Sequence, residues 1–181
     1  MSVIFLAGVH GVGKGYLGMP VAKALGISHF TASQLIREEK GRVTWDADKK
    51  AADLDDNQLA LVRAVTQKRI TDGDILLDGH FVLLNSEGIL VPLRQSVFDA
   101  MKLSGVILLT EDVQTICGRL SARDGVAKSA NDISKLADAE SAHAHAVCHA
   151  IGLPLIVLHS PVESAVLEAV TKLRRGSLHA Q

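Results

Sequence analysis

A chain of 181 residues can bury one sizeable core and is short for two. Its 48% hydrophobic and 22% charged residues exclude intrinsic disorder. A net charge of −1 excludes the global basic field of a dedicated duplex-DNA binder, and 3% aromatic residues give no stacking platform for single strands.

Short apolar runs alternate with longer amphipathic stretches, which predicts a parallel sheet flanked by helices. Val3 to Ala7 reads as a buried first strand, followed by a glycine-rich turn and a helix to about Leu25. Ile27 to Phe30 can form a short second strand, after which Thr31 is placed to cap a helix through Glu39. A polar segment from Lys40 to Asp53 precedes a helical pattern over Asp55 to Ile70. Ile75 to Asp78, Val106 to Leu109 and Leu155 to Leu158 complete the expected strands. Further helices are expected at Pro92 to Met101, Glu111 to Ser121, Asn131 to Ile151 and Pro161 to Arg174, with a frayed tail from Arg174 to Gln181. Cys117 and Cys148 lie far apart without metal-binding spacing, which fits reduced thiols. The apolar run at Val3 is too short for a secretory signal or a membrane helix, so a cytoplasmic location without membrane attachment is expected.

The turn after the first strand carries the chemistry. Gly8-Val9-His10-Gly11-Val12-Gly13-Lys14 satisfies GxxxxGK between a predicted strand and a predicted helix. Phosphate oxygens need several inward-pointing N–H groups, and only a backbone free of Cβ crowding wraps that tightly. The helix start contributes its positive dipole end, and Lys14 a full charge near the β- and γ-phosphates. The pattern usually continues with Ser or Thr, whose hydroxyl helps hold magnesium; here Gly15 stands there and Tyr16 follows. The overlapping GxGxxG of Gly13 to Gly18 begins inside the turn rather than at the strand end, so a dinucleotide site is not expected.

Asp74-Ile75-Leu76-Leu77-Asp78-Gly79-His80 is an apolar strand ending in an acid. A carboxylate beside a phosphate loop can polarise magnesium-bound water or the attacking hydroxyl; otherwise Asp78 merely starts a turn with Gly79. Arg119 and Arg123, four apart, share a helix face and can close over phosphates, unless one of them simply meets Asp124. His10 and His80 border the loop and the acid, and a protonated His80 could replace a missing arginine. His143, His145 and His149 suggest a metal cluster at first sight, but His143 points elsewhere and no acid completes the set, which favours a solvated face.

These residues, in this order, resemble the adenylate kinases and related nucleoside monophosphate kinases, with the archaeal and nuclear adenylate-kinase branch nearest over Asp78 to Pro92. The resemblance runs from Val3 to about Leu158 through Gly13-Lys14-Gly15, the segment Ile27 to Arg37, Leu76 to Phe81, and Arg119 to Asp124. It implies a three-layer P-loop NTPase fold, an α/β architecture with a five-stranded parallel sheet. The single domain would span residues 1–173, with an acceptor-binding insertion at about 31–72, a short lid at about 119–131 and a flexible tail at 174–181. It also implies ATP and Mg²⁺ as cofactors, with Gly8 to Tyr16 holding the donor phosphates and Lys14, Asp78, Arg119 and Arg123 serving catalysis. Asp78 would hold the metal through water, and Thr31 and Arg37 would contact a nucleotide acceptor, unless Arg37 is only a surface partner for Glu38 or Glu39; His80, read from its place after the acid, could orient an acceptor hydroxyl or simply hydrogen-bond locally. The chain departs from these kinases where it has His80 and Phe81 instead of an arginine after the acid. In the later helix it offers only Lys135, with Glu140 and Ser141 near the expected arginine. Three functions remain open on these grounds: a nucleoside monophosphate kinase, a kinase of another small molecule or polynucleotide end, and a nucleotide-bound switch with little transferase activity.

Overall fold

A computed structural model describes residues 1–41, 53–85, 87–126 and 129–178. Most of the polar segment expected between Lys40 and Asp53, two residues of the expected lid and the last three of the tail lie outside the described residues.

The elements in chain order are β1 (Val3–Ala7), α1 (Lys14–Leu25), β2 (Ser28–Thr31), α2 (Ala32–Glu39), α3 (Asp53–Asp72) and β3 (Ile75–Asp78). They continue as β4 (Val82–Leu84), β5 (Leu90–Pro92), α4 (Gln95–Ala100), β6 (Gly105–Thr110), α5 (Val113–Asp124), α6 (Ala130–Ala150), β7 (Leu155–His159) and α7 (Glu163–Leu178). Five strands form one parallel sheet in the order β2-β3-β1-β6-β7. The chain leaves β1 toward one edge through α1 and returns through α2 and α3, then runs toward the other edge through α5 and α6. Because parallel crossovers are right-handed, these reversals place helices on both faces. Accordingly α1 packs with α7, and α5 packs with α6.

Every residue of β1 is buried, as are Ile75, Leu76 and Leu77 of β3 and most of β6, so the apolar runs of the sequence are the centre of the sheet. Side chains pack directly against the backbone at two glycines. A Cβ on Gly79 would lie 2.6 Å from the Phe5 ring, and one on Gly105 would lie 2.6 Å from Leu173.

The structure adds elements that the sequence pattern hides. A two-stranded antiparallel hairpin, β4 with β5, occupies residues expected to be irregular or helical, so α4 begins at Gln95 rather than Pro92. The Asn85 side chain accepts from the amides of Glu87 and Ile89 and closes this turn. α5 runs on to Asp124, so Arg119 and Arg123 ride on a regular helix, and α7 stays helical to Leu178, past the expected fraying point.

Candidate active site

β1, β2 and β3 end together, and at that edge of a parallel sheet the sequence places its polar residues. Thr31 pairs in register with Asp78, and Asp78 with Leu6, just before the chain turns into the glycine loop. Gly8, Gly11 and Gly13 have φ of 137°, 83° and 107°, conformations that side chains oppose. At Gly8 an added Cβ would also lie 2.6 Å from the Leu109 carbonyl oxygen, so the loop is held against β6. Gly13 caps α1 without a side-chain hydrogen bond, and the helix presents its leading amides and positive dipole end to the loop.

Lys14 is 7% exposed. Its Nζ donates to the carbonyls of Gly8 at 2.6 Å and Val9 at 3.2 Å, and lies 3.8 Å from the Asp78 carboxylate. Burial pulls the ammonium below its ordinary value, while Asp78 and Glu140 pull it back. The same burial pushes the Asp78 carboxyl up to about 6 against the attraction of Lys14. A carboxylate that titrates there is matched to accepting a proton near neutral pH.

These groups open on a cavity of about 710 Å³ whose walls include Thr31, Ser33, Asp78, His80 and Tyr16. Thr31 caps α2 as expected, its Oγ1 accepting from the Gln34 amide at 3.1 Å, and Tyr16 is 85% exposed at the mouth. The His10 and His80 rings meet at a tilt of 46°, with 4.2 Å between centroids. Burial, then Lys14, pulls both imidazoles down, His80 to about 2 and His10 to about 4. The enclosing walls and the neighbouring ammonium oppose a positive charge on His80, which weighs against its standing in for a missing arginine.

The arginines separate. Arg119 donates to the carbonyls of Gly11 at 3.2 Å and Val12 at 3.1 Å and is braced by Glu111 at 3.0 Å, so it lies on the phosphate loop itself. Arg123 lines the cavity but pairs with Asp124 at 2.7 Å. Arg37 sits on the exposed side of α2 and is not part of the cavity wall. Of the three histidines on α6, His143 turns inward and meets the Leu93 carbonyl at 2.7 Å instead of facing solvent, and His145 meets the Ser141 carbonyl.

One functional residue escapes sequence reasoning. Glu140, 1% exposed on α6, accepts from the amides of Gly8 at 3.2 Å, Phe81 at 2.9 Å and Val82 at 2.7 Å. It ties the start of the phosphate loop to the segment that follows Asp78. Burial pushes its carboxyl upward while these amides and Lys14 oppose the shift. The only signal in the sequence is an acid at a position where the resemblance leads one to expect an arginine.

Residues 7–137 match the family model described as "AAA domain", a span that takes in the phosphate loop, Asp78 and Arg119. The chain belongs to the AAA-domain family. Among solved structures, this AAA-domain protein is similar to a shikimate kinase from Acinetobacter baumannii in complex with shikimate, with a TM-score of 0.63 at 15% identity over 98% of this chain and 94% of that one. It is also similar to a sugar kinase from Janibacter sp. HTCC2649, with a TM-score of 0.57 at 16% identity over 97% and 95% of the two chains. A gluconokinase from Sinorhizobium meliloti 1021 gives a TM-score of 0.54 at 15% identity over 96% and 91%. At such identities these likenesses establish a shared P-loop kinase fold. No curated protein sequence matches significantly.

The same cavity is also lined by the apolar side chains of Leu61, Leu93, Val97, Phe98 and Met101. Gln58 of α3 also lines the cavity, but it is only 7% exposed, its Nε2 and Oε1 are buried, and neither finds a hydrogen-bond partner. Such orphaned polar atoms cost about 1–3 kcal/mol each. The glycine cradle and Lys14 fit a polyphosphate. Asp78 is a hard oxygen donor that fits magnesium, and Gly15 contributes no hydroxyl. Among the described residues no cluster of three or more His, Cys, Asp or Glu side chains could cage a metal alone, so such an ion would rest on Asp78, phosphate oxygens and water. No helix among the described residues is long and apolar enough to cross a membrane.

Proposed function

We propose that this protein transfers the γ-phosphoryl group of ATP to a hydroxyl of a small acceptor. The observation that carries the reading is Lys14, buried on a positive-φ glycine loop and 3.8 Å from a strand-end carboxylate that burial has raised toward neutrality. The loop amides and Lys14 would hold the donor phosphates, and Asp78 would take the proton from the attacking hydroxyl. Magnesium, held by Asp78 through water, would neutralise charge on the β- and γ-phosphates. Arg119 is positioned on the loop to meet the charge that develops on the transferred group. Catalysis on this reading comes from positioning and electrostatics rather than from a covalent intermediate. The structural neighbours are named as kinases, one of them of a sugar and one holding shikimate, which supports a non-nucleotide acceptor.

A nucleoside monophosphate is the acceptor implied by the resemblance to adenylate kinases. Its phosphate would need cations of its own, yet the lysines and arginines among the described lining residues are Lys14 and Arg119 on the loop and Arg123 beside Asp124. An acceptor without a phosphate fits these walls better.

The test is Lys14→Ala. Calorimetry with ATP and Mg²⁺ should lose the binding seen with the wild type while circular dichroism stays unchanged. Wild-type protein that takes up no ATP would refute the reading.

A further inference from the structure

Behind Arg119, the carboxyl ends of β6 and β7 carry a polar pair that takes no part in the chemistry described so far. We propose that Glu111 and Ser160 are positioning residues for the donor nucleotide, acting together to hold the Arg119 guanidinium on the phosphate loop. This rests on the phosphotransferase reading above and adds the device that sets the geometry of its arginine.

Glu111 directly follows Thr110, the last residue of β6, and Ser160 directly follows His159, the last residue of β7. Thr110 and His159 pair in register, and the Ser160 amide extends the pairing by donating to the Thr110 carbonyl at 2.9 Å. The Ser160 hydroxyl and the Asp112 amide both donate to Oε1 of Glu111, the second at 3.0 Å. Its Oε2 accepts from Nη2 of Arg119 at 3.0 Å, and Nη1 of the same guanidinium donates to the carbonyls of Gly11 and Val12. One path of hydrogen bonds therefore runs from the end of β7, through the end of β6 and α5, to the phosphate loop.

The helix alone does not fix the head of Arg119. Its side chain is 46% exposed, and a long side chain in that setting has many rotamers to choose from. Glu111 is only 10% exposed, and two donors hold its Oε1, so its Oε2 meets Arg119 in a set direction. The Ser160 hydroxyl, the Asp112 amide and the Arg119 charge keep the Glu111 carboxyl below its ordinary range against desolvation. The guanidinium has N–H groups beyond those that these bonds use, and Arg119 lines the cavity. Arg123 lines it too, but its carboxylate partner is its immediate neighbour Asp124, at 2.7 Å on the same helix.

The turn that delivers the hydroxyl is strained. Ser160 has φ of 43°, a left-handed conformation that residues with a Cβ seldom adopt, and Pro161 restricts the residue before it further. Glycine would hold this backbone more easily, but it has no hydroxyl to offer Glu111. Strain of this kind persists where the surroundings over-determine it, and here the surroundings are the Thr110 carbonyl and the Glu111 carboxylate.

The experiment measures the Kd for ATP with Mg²⁺ by calorimetry, with circular dichroism and melting temperature recorded for each protein. Glu111→Ala should weaken ATP binding roughly tenfold. Glu111→Gln, which keeps an oxygen for Nη2, should lose less. Ser160→Ala and Ser160→Gly should each weaken ATP roughly threefold, while Ser160→Gly melts higher than Ser160→Ala because glycine relieves the turn. A residue that only stabilised the fold would not separate affinity from melting temperature in this way. In an Arg119→Ala background, Glu111→Ala should change the Kd by less than about twofold, because its effect passes through the guanidinium. An undiminished effect of Glu111→Ala in that background would overturn the assignment. So would unchanged ATP affinity in Glu111→Ala, or in both serine variants, which carry the test alone if Glu111→Ala does not fold. Absence of ATP binding by the wild type would instead remove the phosphotransferase reading on which the assignment rests.

Discussion

Replacing Glu140 removes the acceptor for three backbone amides at once. In Glu140→Ala the N–H groups of Gly8, Phe81 and Val82, now bonded at 3.2, 2.9 and 2.7 Å, lose their partner in a place where the carboxylate is only 1% exposed. An unsatisfied buried donor costs about 1–3 kcal/mol, so three of them reach about 3–9 kcal/mol before relaxation. Water entering the space left by the side chain recovers part of this, leaving a loss on the order of 4 kcal/mol. That is a large fraction of the ~5–15 kcal/mol by which domains are stable. In a urea titration with a slope of about 2 kcal/mol/M, the midpoint should fall by roughly 2 M. Glu140→Gln keeps one acceptor oxygen and turns an amino group toward an amide, so it should lose about half as much while remaining folded at 25 °C. Because Gly8 opens the phosphate loop, the Gln variant should also bind ATP more weakly. A midpoint shift below about 0.5 M in the Ala variant would refute the claim that this carboxylate braces the loop.

Four further expectations concern the cavity and its loop. The carboxylate form of Asp78 accepts the proton, and burial raises its carboxyl to about 6 from an ordinary 3.8. The active form of the free protein is therefore lost as pH falls through about 6, and kcat/KM should drop tenfold per pH unit below it; an acid limb near pH 4 would contradict this. Asp78→Asn should lower kcat by about 10²–10⁴ in a coupled ADP-release assay. Arg119→Ala should cost about 10-fold or more in kcat/KM, and Arg123→Ala, whose side chain pairs with exposed Asp124, should cost less than Arg119→Ala in the same assay. Gly8→Ala, with φ of 137° and the Leu109 carbonyl 2.6 Å from the new Cβ, should lose about 2–4 kcal/mol in thermal unfolding and abolish ATP binding.

What the sequence disclosed and what it hid follow a physical divide. The phosphate loop, Asp78 and the Thr31 cap are legible because each is defined by neighbours within a few residues, where strand, glycine and helix signals reinforce one another. The hairpin was illegible because strands of three residues carry no periodicity and Pro92 reads as a helix start although it lies in β5. Glu140 was illegible because its partner Gly8 is 132 positions away, and a buried acid on a helix looks like a surface acid until the fold encloses it. The charge state of His80 depended on an enclosing wall and on His10, a contact between two segments that only the sheet brings together. Gln58 sits among polar and apolar residues of an ordinary helix, and nothing in its spacing marks it as orphaned.

The strand order carries a consequence for biosynthesis. β1 pairs only with β3 and β6, both of which follow it in the chain. At about 5–20 residues per second, translation from Ala7 to Ile75 takes on the order of several seconds. Throughout that interval a nascent segment destined for complete burial has no sheet to join. Until then Val3–Ala7 is an apolar segment without its partners, the kind of segment a holdase would be expected to shield during translation.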